Sequence, residues 1–320
     1  MMISSSNGYA LTTCAVAVVL ASCGGSQAPI APPGAMPQTA AIASHADRGK
    51  SWMLPEAKNE DLLYISFEGA AVNVYSYSTD RLVGQITGFG DVAGLCSDKD
   101  GNVFATDTFS RIVYEFAHGG TQPIAKLYSG TNDFGPFGCA VDPTTNNLAV
   151  TNADSYEIFI FANESGTPSL YSNPYAYGQF CTYDDAGNLF TRGTTSHVAE
   201  LPKGSSTFQN LKLNEKNLKD LVGFAWDGKY LSVNNNINNG HRDINVNYRI
   251  HVANQKATIV RKTRLRGAEF VFQFTIYNNQ LIGPDEQASK VSFWKYPIVG
   301  APVKTIAVAA PLGSAISVAR

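Results

Sequence analysis

Two sets of polar side chains recur along the 320-residue chain at steps of roughly 43 residues, and their types suit either cation binding or loop bracing. The first set is Asp91, Asp133, Tyr177, Asp220 and Glu269, each placed just before a short apolar run. The second set, Asp107, Asn152, Arg192, Asn234 and Asp285, follows one strand later. Carboxylate and amide oxygens are hard donors, so a ring of them about a common axis offers a divalent cation such as Ca2+ the ligands it prefers. The competing explanation is that the same side chains accept hydrogen bonds from nearby turn amides and brace loops. His241, with Arg242 and Asp243, ends an asparagine-rich insert, Asn234-Asn-Asn-Ile-Asn-Asn-Gly-His-Arg-Asp243, which adds mixed polar chemistry beside the second set.

Covalent catalysis has no recognisable machinery here. The sequence contains no G-x-S-x-G elbow, no H-E-x-x-H pair and no phosphate-cradling G-x-x-x-x-G-K-[ST]. The five histidines are scattered at positions 45, 118, 197, 241 and 251. Of the five cysteines, Cys14 and Cys23 belong to the leader discussed below, and Cys96, Cys139 and Cys181 allow at most one intramolecular disulfide. Cys139 and Cys181 take equivalent places in successive repeats and read as small packing residues. Nucleic acid is excluded as a partner: 24 basic against 26 acidic side chains give a net charge of -2, without the cationic excess that phosphate neutralisation demands. A local basic run, Lys256 to Arg266, would show Lys262, Arg264 and Arg266 on one side of a strand, suited to an anionic surface or simply to solvent.

The first 22 residues carry no charge, and Ala10 to Ala21 form an apolar core too short to span a bilayer as a helix, which needs about 20 such residues. This is the pattern of a signal peptide. Leu20-Ala21-Ser22-Cys23 resembles a bacterial lipobox, and the resemblance implies that Cys23 carries a lipid and that Gly24 sends the protein to the outer membrane. The alternative is an ordinary secretory peptide with an incidental cysteine. A Pro-, Ala- and Gly-rich stretch follows without hydrophobic period and reads as a disordered tether. The expected division is a signal peptide over 1–22, a lipidated cysteine and tether over 23–60, and a folded domain over 61–320.

Within that domain the elements that position the polar sets repeat. Gly94-Leu-Cys-Ser-Asp98, Gly138-Cys-Ala-Val-Asp142, Phe180-Cys-Thr-Tyr-Asp184 and Gly223-Phe-Ala-Trp-Asp227 share one form, with their aspartates 44, 42 and 43 residues apart. A fifth, weaker copy begins at Phe274. Each copy continues through a turn, a short apolar strand, an alternating strand and a Gly- or Pro-bearing turn. Four antiparallel strands per period of this length form one blade of a β-propeller. Residues 61 to 87 supply only the later strands of a blade, and Gly313-Ser-Ala-Ile-Ser-Val318 supplies the missing innermost one. The prediction is an all-β, six-bladed propeller of four-stranded antiparallel blades, closed by pairing the C-terminal strand with the N-terminal blade. In that arrangement the two polar sets and the insert share one face, and the Asp/Gly hairpins take the other.

The segment Gly101-Asn-Val-Phe-Ala-Thr-Asp107-Thr-Phe-Ser-Arg111-Ile-Val-Tyr-Glu-Phe resembles an NHL repeat and, more loosely, the gluconolactonase-like six-bladed propellers. The NHL resemblance implies that Asp107 and Arg111 form a stabilising pair within their blade. The gluconolactonase resemblance implies a metal-dependent hydrolase or lyase, with a Glu opening one inner strand and Asn and Asp ligands from other blades. Ala309-Ala310-Pro311 and Gly135-Pro136-Phe137 fill expected ligand places with groups that bind no metal. The leading expectation is therefore a non-enzymatic, extracytoplasmic lipoprotein of the bacterial cell envelope, monomeric and without cofactor. It would bind a protein, peptide or glycan on the face bearing the insert, with the metal-dependent lactonase-like enzyme as the alternative.

Overall fold

Runs such as Leu62-Leu-Tyr-Ile65 are apolar at every position, although a strand sends successive side chains to opposite faces. Such a run is stable only where both faces are covered. The computed structural model describes residues 49–320 apart from 68–69, 154, 217, 219, 239–242 and 299, and in it both faces are covered. Leu62 and Tyr64 enter the core shared with the next blade, while Leu63 and Ile65 enter the core shared with the last one. Six such cores occur, one between each pair of neighbouring blades. Each buried Leu, Ile, Val or Phe contributes about 1.5–3 kcal/mol, so these six seams supply the main stabilisation of the ring.

The chain is a six-bladed β-propeller. From the axis outward the second blade runs Val92–Ser97, Val103–Asp107, Ile112–Phe116 and Pro123–Leu127, and the third Pro136–Val141, Leu148–Asn152, Glu157–Phe161 and Ser169–Ser172. The fourth has Thr182–Tyr183, Leu189–Arg192, His197–Leu201 and Gln209–Lys212, and the fifth Leu221–Trp226, Leu231–Asn238, Asp243–Ala253 and Lys256–Arg264. The sixth has Thr275–Tyr277, Gln280–Asp285, Lys290–Lys295 and Lys304–Ala307. The first blade takes its inner strand, Pro311–Ser317, from the C-terminus, followed by Leu62–Phe67, Ala71–Ser76 and Leu82–Thr87. Tyr64 faces Ala315 and Leu62 faces Ser317 across that closure, as the repeat pattern required.

Three features differ from the sequence expectation. Residues 52–59, assigned to the tether by composition, form a strand, Trp52–Met53, and a 3-10 turn, Pro55–Asn59; the strand pairs with Leu82–Thr87 as a fifth, outermost member of the first blade. The asparagine-rich insert is largely strand: pairing continues from Leu231↔Ile250 out to Asn238↔Asp243, so the insert lengthens a hairpin. Cys96 and Cys139 are joined by a disulfide across the seam of the second and third blades, with Cα atoms 5.7 Å apart. Residues 1–48, with Cys23 and the leader, lie outside the described residues, as does His241.

Candidate functional site

The inner strands approach one another at the glycines that open the repeats. A Cβ on Gly94 would lie 2.4 Å from the Phe137 carbonyl oxygen, one on Gly138 2.4 Å from that of Gln179, one on Gly223 2.2 Å from that of Phe272, and one on Gly313 2.6 Å from that of Ala93. Side chains are excluded at these four positions, so backbone forms much of a waist around the axis. Gln273, 7% exposed, spans part of it: its Oε1 accepts from the Leu95 N–H at 3.1 Å and the Ser314 N–H at 3.2 Å, and its Nε2 donates to the Leu95 carbonyl at 2.5 Å. Thr106 and Thr151 hold the same level from the second strands, each hydroxyl donating at the shorter distance to a carbonyl of the next blade, Phe137 at 2.6 Å and Gln179 at 2.8 Å. The cavities on the two sides of the waist share no lining residue.

On the side carrying the two polar sets, the second set braces loops. Asp107, fully buried, accepts the Gly90 and Asp91 N–H groups at 2.7 and 2.9 Å and the Ser110 N–H at 3.0 Å. Asp285 does the same for Glu269 and Phe270, at 2.8 and 2.9 Å. Asn152 accepts from the Gly135 N–H and donates to the Asp133 carbonyl. In the fifth blade this position belongs to Asn235, which accepts the Asp220 N–H at 3.2 Å, while the predicted Asn234 lies one residue away and accepts from Asn247. The expected Asp107–Arg111 pair does not form, because backbone amides occupy the carboxylate; Arg111 donates to the Asn132 carbonyl. Asp91, Asp133, Asp220 and Glu269 are exposed at the loops so held, and among the described residues no three of the ring carboxylates come within ligating distance of a common point.

What gathers on this face is a different constellation. Gln179, Arg192, Asp220, Val222, Asn236, Phe270, Phe272 and Gln287 line a cavity of about 390 Å³ over the fourth, fifth and sixth blades. The extended hairpin of the fifth blade places Asn236 in its wall at 5% exposure, and neither amide atom of Asn236 has a hydrogen-bond partner. The Gln179 Oε1 is likewise buried and unpartnered. Phe270 and Phe272 meet edge to face at 4.2 Å, and Arg192 stands 3.7 Å from Asp220 at the mouth. A buried polar group without a partner costs about 1–3 kcal/mol, which a ligand offering the complementary donor and acceptor would recover. Of the residues in the two predicted polar sets, Asp220 and Arg192 line this cavity. Asp133 lines a second depression with Arg111 and Tyr156, and Tyr177 stacks on Tyr156 at 4.0 Å. Sequence reasoning missed Asn236, Gln179, Phe270, Phe272 and Gln287; the only signal was the unbroken Asn234-Asn-Asn236 run, whose strand register the pattern left open.

The opposite side opens as a funnel of about 390 Å³ lined in part by Cys96, Cys139, Cys181, Trp226 and Tyr277. Burial pushes the Cys181 thiol up to about 12, so it is a packing residue with negligible thiolate. The hairpin aspartates on this side cap their own turns: Asp98 accepts from the Asn102 N–H at 2.8 Å and Asp184 from the Asn188 N–H at 2.8 Å. Asp227 accepts from Arg249 at 2.5 Å and from the Tyr296 hydroxyl at 2.7 Å; burial raises its pKa, and these donors with the Tyr230 N–H outweigh that and hold it below the usual carboxylate range.

Comparison with known proteins finds likeness in solved structures. No protein-family model matches the chain, and no curated protein matches it. A propeller from a nidogen/laminin complex superposes with a TM-score of 0.66 at 15% identity, covering 81% of this chain and 99% of that one. A protein of unknown function from Bacteroides caccae gives 0.60 at 12% identity, covering 81% and 99%. An inactive variant of virginiamycin B lyase from Staphylococcus aureus, crystallised with quinupristin, gives 0.53 at 13% identity, covering 82% and 88%. The likeness is one of fold.

Proposed function

We propose that this chain is a binding propeller whose ligand, a protein or peptide segment or a glycan, docks at the cavity between the fourth, fifth and sixth blades. The carrying observation is Asn236: a side chain 5% exposed, in a cavity wall, with donor and acceptor both unpartnered. Peptide groups and sugar hydroxyls offer a donor and an acceptor together, and the half-buried faces of Phe270 and Phe272 suit the apolar side of either. Assembly with a partner in the nidogen/laminin structure is consistent with this use of the fold. We also propose that the protein is exported and anchored through Cys23. The Cys96–Cys139 disulfide supports an oxidising compartment, where such bonds persist. The test is selection of ligands for the full chain from peptide and glycan arrays, followed by titration with Asn236→Leu. The proposal expects a selected ligand whose affinity falls about tenfold or more in the variant, a loss of roughly 1.4 kcal/mol. Equal binding by both forms would overturn it.

A further inference from the structure

On the opposite face, at the seam of the second and third blades, three carboxylates converge. Asp98 follows the inner strand of the second blade, Glu115 sits on its third strand, and Glu164 follows the third strand of the third blade. One oxygen from each lies within 4.8 Å of the others. Glu115 is 8% exposed, and none of the hydrogen bonds or ion pairs among the described residues involves its carboxylate. The Glu164 Oε1 is also buried and without a partner.

Two other seams place a cation near the corresponding hairpin. The Asn163 N–H donates to the Asn147 amide oxygen at 3.0 Å and the Lys203 N–H to that of Asn188 at 2.9 Å, so the two loops are equivalent. At the seam of the third and fourth blades, the loop points Lys203 at the Asp142 hairpin, its ammonium 2.8 Å from the Thr144 hydroxyl. In the fifth blade Arg249, at the position of Glu115, neutralises Asp227 at 2.5 Å. At the second blade the place of Arg249 is taken by Glu115 and that of Lys203 by the uncharged Asn163, with Glu164 following it. Glu164 also occupies a left-handed backbone position, φ 56°, where the equivalent residue of the fourth blade is Gly204, φ 77°.

We infer that Asp98, Glu115 and Glu164 bind a divalent cation of the Ca2+ class, which does for this seam what Lys203 and Arg249 do for theirs. Ca2+ holds oxygens at about 2.3–2.6 Å, so ligands on opposite sides of one ion stand up to about 5 Å apart, and the three oxygens here fall within that limit. Mg2+ dehydrates reluctantly and demands near-ideal octahedral geometry, which side chains drawn from two blades meet less readily. The Asp98 oxygens, though engaged with Asn102, keep a second lone pair each. The site is independent of the ligand cavity on the other face.

The test is calorimetric titration of the metal-free full chain with CaCl2 and MgCl2, beside Glu164→Gln, Glu115→Gln and, as a control from the other face, Asp91→Asn. The expected result is one Ca2+ per chain, weaker binding of Mg2+, affinity lowered about tenfold or more in Glu164→Gln and Glu115→Gln, and wild-type affinity in Asp91→Asn. Melting curves give the second readout: Ca2+ raises the wild-type Tm, and a folded Glu164→Gln variant shows no such rise. A wild-type chain that binds no Ca2+ at millimolar concentration, or Glu variants that keep its full affinity, would overturn the inference.

Discussion

Asn236 and Asp107 are both buried polar side chains on second strands, and they do opposite things. Asp107 spends its lone pairs on the backbone of its own loop, so Asp107→Ala should lower stability by about 1–3 kcal/mol in a denaturant titration and leave ligand affinity unchanged. Asn236 spends none, so Asn236→Leu should keep or raise the Tm while lowering ligand affinity about tenfold or more. Asp227 sets a pH limit: its carboxyl is held below the ordinary value near 3.9, so its contribution is fully present above that value and is lost as pH falls through the lower folded pKa. Arg249→Met should shift the acid-unfolding midpoint to higher pH. At this scale the sequence was partly legible. It placed Asp107, Asn152 and Asp285 on the right face, but amide acceptance and metal ligation use the same residue types. Asn234 and Asn235 differ by one register step, which only pairing with Leu221 resolves.

The cysteines show what a repeat pattern conveys about elements and what it omits. Cys139 and Cys181 each follow their repeat's opening residue by one position and face back toward the preceding blade, whereas Cys96 follows Gly94 by two and faces forward. Alternation along the strand therefore turns Cys96 toward Cys139. Ala140, two residues after Gly138, is the forward-facing place opposite Cys181 and explains why that thiol is free. Ala140→Cys should consequently form a second disulfide with Cys181, read as loss of the free thiol by mass spectrometry after alkylation. Removing the native bridge with Cys96→Ala and Cys139→Ala should cost about 2–4 kcal/mol, given the 43-residue separation it spans. The long hairpin of the fifth blade was legible only as an insert, because asparagine is depleted in strands; Asn247 pairs with Asn234 and Ser232 there, while the Asn236 amide stays unpartnered.

The whole molecule was the most legible level, since a period near 43 residues and a C-terminal segment matching an inner strand define ring, count and closure together. The five strands of the first blade still depend on that closure, and deleting residues 311–320 should expose the Leu62–Phe67 edge and yield aggregates by size-exclusion chromatography. The ligand was not legible, because the repeat encodes the scaffold and the cavity is assembled from single residues of three blades. The proposed placement of function on one face of the disc is open to one direct measurement, hydrogen–deuterium exchange of the full chain with and without a ligand selected from the arrays. The account predicts slowed exchange in the segments around Gln179, Asp220, Asn236 and Phe270 to Phe272, with the hairpins at Asp98, Asp142 and Asp184 unchanged. Protection confined to those hairpins would contradict it.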